Sequence, residues 1–113
     1  MKRIMLLMTG LALAGTAGAG VPKGDPEAGK AKAEQMCQSC HGPGGNSTIP
    51  QNPKLAGQYA SYIAQALHDY KSGARKNPIM AGMAAGLSDE DIDNLAAYFA
   101  SQEGLYTPAN PDQ

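Results

Sequence analysis

Bulky apolar side chains are scarce in this chain. Past Ala19 there are only eleven large aliphatic or phenylalanine residues, the first Val21 and the last Leu105, and the whole sequence holds one Phe and no Trp. That share is below what an ordinary domain uses to fill its interior, while a formal net charge of −1 is too small for a typical disordered chain. Something other than side chains is therefore expected in the middle of the fold. No β-hairpin signal can be scored and no internal repeat is present, which leaves helices as the building material. Positive charge is not in excess, with nine Lys and Arg against ten Asp and Glu, and this excludes a basic nucleic-acid surface. No apolar run reaches the roughly 20 residues that cross a bilayer as a helix.

What is present begins with an export pattern. Lys2 and Arg3 precede an apolar run from Ile4 to Ala14, and Ala17-Gly18-Ala19 supplies small residues at the spacing a signal peptidase requires. The pattern predicts a signal peptide over 1–19, one domain over 20–103 and a loose tail over 104–113. Cleavage leaves seven Lys and Arg facing ten Asp and Glu, so the formal charge moves to −3. An exported, periplasmic protein without stable membrane insertion is expected.

The chemistry is concentrated in Cys37-Gln38-Ser39-Cys40-His41. Two thiols three positions apart, followed at once by an imidazole, match the C-x-x-C-H pattern for covalent haem attachment: Cys37 and Cys40 add across the two vinyl groups, and His41 binds the iron. A haem is a large, flat apolar body, so the pattern and the shortage of core residues point the same way. Three other readings of the pair are weaker. A redox dithiol wants a βαβ setting, a zinc site needs two more ligands when only His68 is left among His and Cys, and a disulfide closing so small a ring would stabilise little.

Asp25-Pro26-Glu27 starts a helix expected to run to about Ser39, with an oxygen cap, a proline at the first helical position and an acid in the first turn. Gly42-Pro43-Gly44-Gly45-Asn46 ends it, and a loop follows to Gly57. A second helix is expected from about Gln58 to Ser72, with Tyr59, Ile63, Ala66, Leu67 and Tyr70 on one face and Gly73 ending it. Ala74 to Gly86 reads as irregular. Leu87-Ser88-Asp89-Glu90-Asp91-Ile92 opens a third helix through a capping box and a Leu87–Ile92 staple, and its stripe is Ile92, Leu95, Ala96 and Phe99. Asp89 to Asp93 are accounted for by capping and the helix dipole rather than as a docking patch. Lys71, Arg75 and Lys76 read as solvated charge near a helix end, and His68, off the apolar stripe, as an exposed helix histidine.

The sixth iron position separates functions: filled, it makes an electron carrier, and open, a site for small ligands. Met80 and Met83 are both candidates, and spacing does not choose between them.

Here the chain resembles the class I cytochromes c, and most closely the bacterial c-four and c-five type, over residues 25–102. The resemblance is carried by Cys37-Gln38-Ser39-Cys40-His41-Gly42-Pro43, Asn52-Pro53-Lys54-Leu55-Ala56-Gly57-Gln58, Met80-Ala81-Gly82-Met83-Ala84-Ala85-Gly86-Leu87-Ser88 and Asp91-Ile92-Asp93-Asn94-Leu95-Ala96-Ala97-Tyr98-Phe99. It implies an all-α, small cytochrome c fold, three main helices wrapped around one covalently bound haem c. It further implies His41 and Met80 as iron ligands, Met83 beside Met80, and a Pro53 carbonyl accepting from the second nitrogen of His41. Leu55 and Gly57 would shape the pocket wall, and Gly29 would cross closely against Leu95 and Tyr98. In the c-four type two such units follow one another; this sequence holds one.

The function so implied is single-electron transfer between redox protein partners, not catalysis on a substrate. Two alternatives keep the haem: a cytochrome subunit of a periplasmic dehydrogenase complex, and an open-site haem enzyme or ligand sensor.

Overall fold

The computed structural model describes residues 23–109; the signal-peptide expectation lies outside them. Five α-helices and one short 3-10 turn make up the regular structure, with no strand among the described residues. The helices are α1 (Pro26–Met36), α2 (Gln38–His41), α3 (Ala60–Ser72), α4 (Pro78–Ala85) and α5 (Asp89–Ala100), and the 3-10 turn is Pro43–Gly45.

α1 begins as its sequence dictates. The Asp25 carboxylate accepts from the Glu27 amide at 2.9 Å and Pro26 takes the first helical position. Its expected course to Ser39 is corrected: the helix stops at Met36 and a new turn starts at Gln38. At Cys37, φ is −104°, and the Cys37 carbonyl accepts from both the Cys40 amide at 3.2 Å and the His41 amide at 2.9 Å, so the motif is wound as a tighter turn of its own.

α1 lies against α5, and Gly29 sets how close they come. A Cβ there would sit 2.0 Å from the Asn94 carbonyl oxygen and 2.8 Å from Tyr98 Cβ. Backbone therefore meets backbone at this crossing. The nearest atoms belong to Asn94 and Tyr98, not to Leu95. Polar contacts hold the same seam: the Asp25 amide donates to Asn94 Oδ1 at 2.7 Å, and Lys32 Nζ lies 3.3 Å from Asp91 Oδ1.

α3 starts at Ala60, two residues later than expected, and ends at Gly73 in the left-handed region, φ 83°. It buries Ala60, Ile63 and Ala64, while Leu67 and Tyr70 pack at the edge of the core. α5 opens with the expected capping box, in which Ser88 Oγ accepts from the Asp91 amide and Asp91 Oδ2 accepts from the Ser88 amide, both at 3.0 Å. Ile92, Leu95, Ala96 and Phe99 are buried as the stripe requires, and Tyr98 joins them, its ring tilted against Phe99 at 5.2 Å.

The segment expected to be irregular contains α4. Asn77 supplies the reason: its side-chain oxygen accepts from the Ile79 and Met80 amides, both at 3.1 Å, and Pro78 follows at the first helical position. The tail is also corrected. As far as Pro108 it is strapped to the 55–59 loop, with Leu105 N donating to the Ala56 carbonyl at 2.7 Å, Thr107 Oγ1 to the Gly57 carbonyl at 2.9 Å and the Tyr59 hydroxyl to the Pro108 carbonyl. Loop carbonyls that no helix or sheet satisfies find these donors.

Five of the eleven buried residues of the core between α1, α3, α4 and α5 are alanines, namely Ala33, Ala60, Ala64, Ala84 and Ala96. Among the described residues the large side chains that are fully buried are Ile92 and Leu95. Apolar side chains elsewhere remain exposed, with Ile79 at 69 %, Ile49 at 49 % and Met83 at 44 %.

Candidate haem-attachment site

The motif turn leaves its three side chains in different surroundings. Cys40 is exposed, Cys37 packs against the edge of the core, and His41 is buried. Both thiols are free. Burial pushes the Cys37 thiol up to about 11, and Cys40 beside it adds to the shift. The shift belongs to Cys37, the buried member of the pair, and follows from its packing against the core edge.

His41 is held by one contact. Its Nδ1 lies 2.7 Å from the Pro53 carbonyl oxygen, and since a carbonyl only accepts, Nδ1 must carry the proton. In the neutral ring Nε2 is then the nitrogen with the lone pair. No partner is seen for Nε2 among the described residues, and none of their side-chain nitrogens or oxygens is sealed away without a partner, so Nε2 opens onto accessible space. An imidazole whose Nδ1 proton is held by a backbone acceptor and whose other nitrogen has no protein partner is the arrangement of a metal-ligating histidine. The donor set Cys37, Cys40 and His41 therefore fits a covalently attached haem.

The loop that carries Pro53 is itself fixed. Asn52 Nδ2 donates to the Cys40 carbonyl at 2.8 Å, and the Leu55 and Ala56 amides donate to the Gly45 carbonyl at 2.8 and 3.2 Å. The Gly57 amide donates to the Phe99 carbonyl at 2.9 Å, which ties the loop to the end of α5. Leu55 packs against the core edge. An open concavity of about 400 Å³, lined by Ser47 to Pro50 and Asn52 to Lys54, borders the Pro53 side of the motif.

Met80 is half-buried in the first turn of α4, and Met83 is more exposed on the next. α2 packs on α1 and the 3-10 turn, whereas α4 packs on α3. The chain thus brings Cys37, Cys40, His41, Pro53 and Leu55 into one region by direct contacts, and holds Met80 on a separate support. His68 keeps 42 % of its side chain exposed, as expected of a helix histidine off the apolar stripe, with Nδ1 3.9 Å from Asp89 Oδ1.

The basic residues near α4 were read as solvated charge, and two of them are engaged. Lys71 Nζ donates to the Leu87 carbonyl. The Arg75 guanidinium lies over the Tyr70 ring at 4.9 Å and donates to the Tyr62 hydroxyl at 3.3 Å. Asn77 was not singled out at all. Its signal was the pair Asn77-Pro78, the same cap-then-proline arrangement recognised at Asp25-Pro26.

Residues 24–99 match the family model described as cytochrome C oxidase, cbb3-type, subunit III. The chain is 48% identical over 79% of its length to cytochrome c4 of Thiocapsa roseopersicina, of which the match covers 46%. It is 45% identical over 71% of its length to cytochrome c-554(548) of Halomonas halodenitrificans, and there the match covers 99% of the relative. The crystal structure of reduced recombinant cytochrome c4 from Pseudomonas stutzeri superposes with a TM-score of 0.68 at 44% identity, covering 78% of this chain and 50% of that one. The chain spans about half the length of the cytochrome c4 relatives it matches. The helices, the motif turn and these likenesses together establish a small cytochrome c fold, and the chain belongs to the class I cytochromes c, of the c4 type.

Proposed function

We propose that this protein is an exported, periplasmic one-electron carrier that holds a single haem c through Cys37 and Cys40, with His41 and Met80 as the two axial ligands. The observation that carries the reading is His41: a buried imidazole, its Nδ1 proton committed to Pro53 and its Nε2 without a protein partner, directly after the second thiol of the pair. When bound, the haem supplies reversible one-electron chemistry at iron, and no bond is made or broken in a partner.

The protein's own residues do the rest. Cys37, just before α2, and Cys40, within it, would hold the haem by two thioether bonds. The Pro53 carbonyl keeps the imidazole in one tautomer and one orientation, and strengthens it as a donor. Leu55 contributes apolar wall. Met80 supplies a soft thioether that favours ferrous iron and raises the potential. If His41 and Met80 both held the iron in either oxidation state, little would have to reorganise as the electron moves.

The domain is taken as residues 20–103 after removal of 1–19, and its partners are redox proteins, one donating and one accepting. A near full-length match to cytochrome c-554(548) supports a unit of this size standing alone. A redox titration of the purified holoprotein followed by its visible spectrum tests this reading. One reversible one-electron wave with one haem per chain is expected; two waves, or a stoichiometry other than one, would overturn it.

A further inference from the structure

α4 is not a helix that its sequence would hold in place unaided. It has eight residues, below the length at which isolated helices persist, and it includes Pro78 and Gly82. Ala84 is its buried residue; Ile79 and Met83 face outward, and a Cβ at Gly82 or Gly86 would meet nothing within 4 Å. Its packing is one-sided, on α3 through Ala84, and two polar contacts stand at its ends. At the start, Asn77 Oδ1 accepts from the amide of Met80 itself, as well as from that of Ile79, each at 3.1 Å. Past the end, Lys71 from the last turn of α3 reaches sixteen residues along the chain and donates to the Leu87 carbonyl. Leu87 is also anchored by its own amide, which donates to the Ala84 carbonyl at 3.1 Å, and by its buried side chain.

We propose that Asn77 and Lys71 are positioning residues for the sixth ligand: Asn77 fixes the backbone of Met80, Lys71 closes the loop from α3 to α5 around α4, and together they keep the thioether on the iron. The inference rests on the reading of Met80 as an axial ligand. Its physical content is that the strength of the iron–methionine contact is set by the loop's clamps and not by methionine alone. Loss of a clamp frees α4 to swing outward and lets an external ligand compete, while the proximal side, built on α2 and the 50–57 loop, is untouched.

The test uses the ferric holoprotein and its variants, with imidazole as the competing ligand. Asn77→Ala is expected to bind imidazole about fivefold more tightly, the factor that corresponds to one lost helix cap, and to weaken the far-red methionine-to-iron absorption band. Asn77→Asp, which restores a capping oxygen, should return both readouts to the parent values. Lys71→Met, which keeps the aliphatic stem and removes the donor, should move them in the same direction as Asn77→Ala. Asp25→Ala removes a comparable cap from α1, whose start is tied to Asn94 of α5 and not to α4, and should lower the denaturant midpoint without altering imidazole affinity.

If Asn77→Ala and Lys71→Met lower the midpoint as Asp25→Ala does but leave the band and the imidazole affinity unchanged, the positioning role is overturned. Met80→Ala separates this from the ligand assignment. A band lost in Met80→Ala but undiminished in Asn77→Ala, with imidazole affinity unchanged, refutes the clamp alone. A band retained in Met80→Ala refutes the ligand assignment on which the clamp depends.

Discussion

Gly29 shows how one missing side chain can set the geometry of a site far from it. It stands eight residues before Cys37, and the α1–α5 crossing it permits fixes where α1 delivers the motif turn. Gly29→Ala would place a methyl 2.0 Å from a backbone carbonyl that cannot rotate away, so the helices must separate. A destabilisation of about 1–3 kcal/mol is expected, the range for overpacking a tight contact, read as a lower denaturant midpoint of the holoprotein. An unchanged midpoint would mean that the crossing is softer than its geometry implies. At the same scale, His41 and Pro53 were legible as a pair only through resemblance, because a backbone acceptor twelve residues away leaves no trace in side-chain pattern.

At the scale of elements, legibility followed local chemistry. α5 could be read from sequence because its stripe, its staple and its capping box lie within one stretch and agree with one another. The break at Cys37 was hidden, since nothing in the run of good helix formers before it signals that its carbonyl will turn to Cys40 and His41. α4 was missed because an outward-facing helix lacks an apolar period, and what starts it is the cap at Asn77. The tail was misjudged for a related reason: its straps run from Leu105, Thr107 and Tyr59, and most end on carbonyls of the chain's own loop.

The capping box also makes α5 sensitive to acid. The Ser88 amide, and then the Ser88 hydroxyl and Lys32, hold the Asp91 carboxyl below the ordinary carboxylate range against a smaller opposing effect of desolvation. A carboxylate with a depressed folded value stabilises the protein above its unfolded value, about 4, and loses that contribution as pH falls through the folded value. Asp91→Asn keeps an acceptor oxygen but cannot titrate. Parent and variant holoproteins should therefore differ most in denaturant midpoint near neutral pH, and the difference should shrink below about pH 4. A difference that stays constant across that interval would remove Asp91 from the acid response.

Across the whole molecule, the composition and the structure describe one design. Alanines bring the helices close, Ile92 and Leu95 are the large side chains fully buried among the described residues, and several bulky apolar groups stay on the outside. With so few large side chains fully buried, a domain of this size is marginal without a further apolar body in its interior. The haem-free chain is accordingly expected to be largely unfolded. Circular dichroism of Cys37→Ala, Cys40→Ala protein prepared without haem checks this, with native-like helicity and a cooperative melt as the contrary result. The fold class was open to inference from the sequence because a deficit of core residues and the attachment motif coincide. The number of helices was not, because α2 and α4 are organised by single caps and carbonyls rather than by a repeating pattern.

The central claim is that the chain itself fills both axial positions of the iron, and carbon monoxide addresses it directly. Added to the ferrous holoprotein at neutral pH, it should bind slowly and weakly, because Met80 has to be displaced first. Fast, tight binding would contradict the account and place the protein among open-site haem proteins instead.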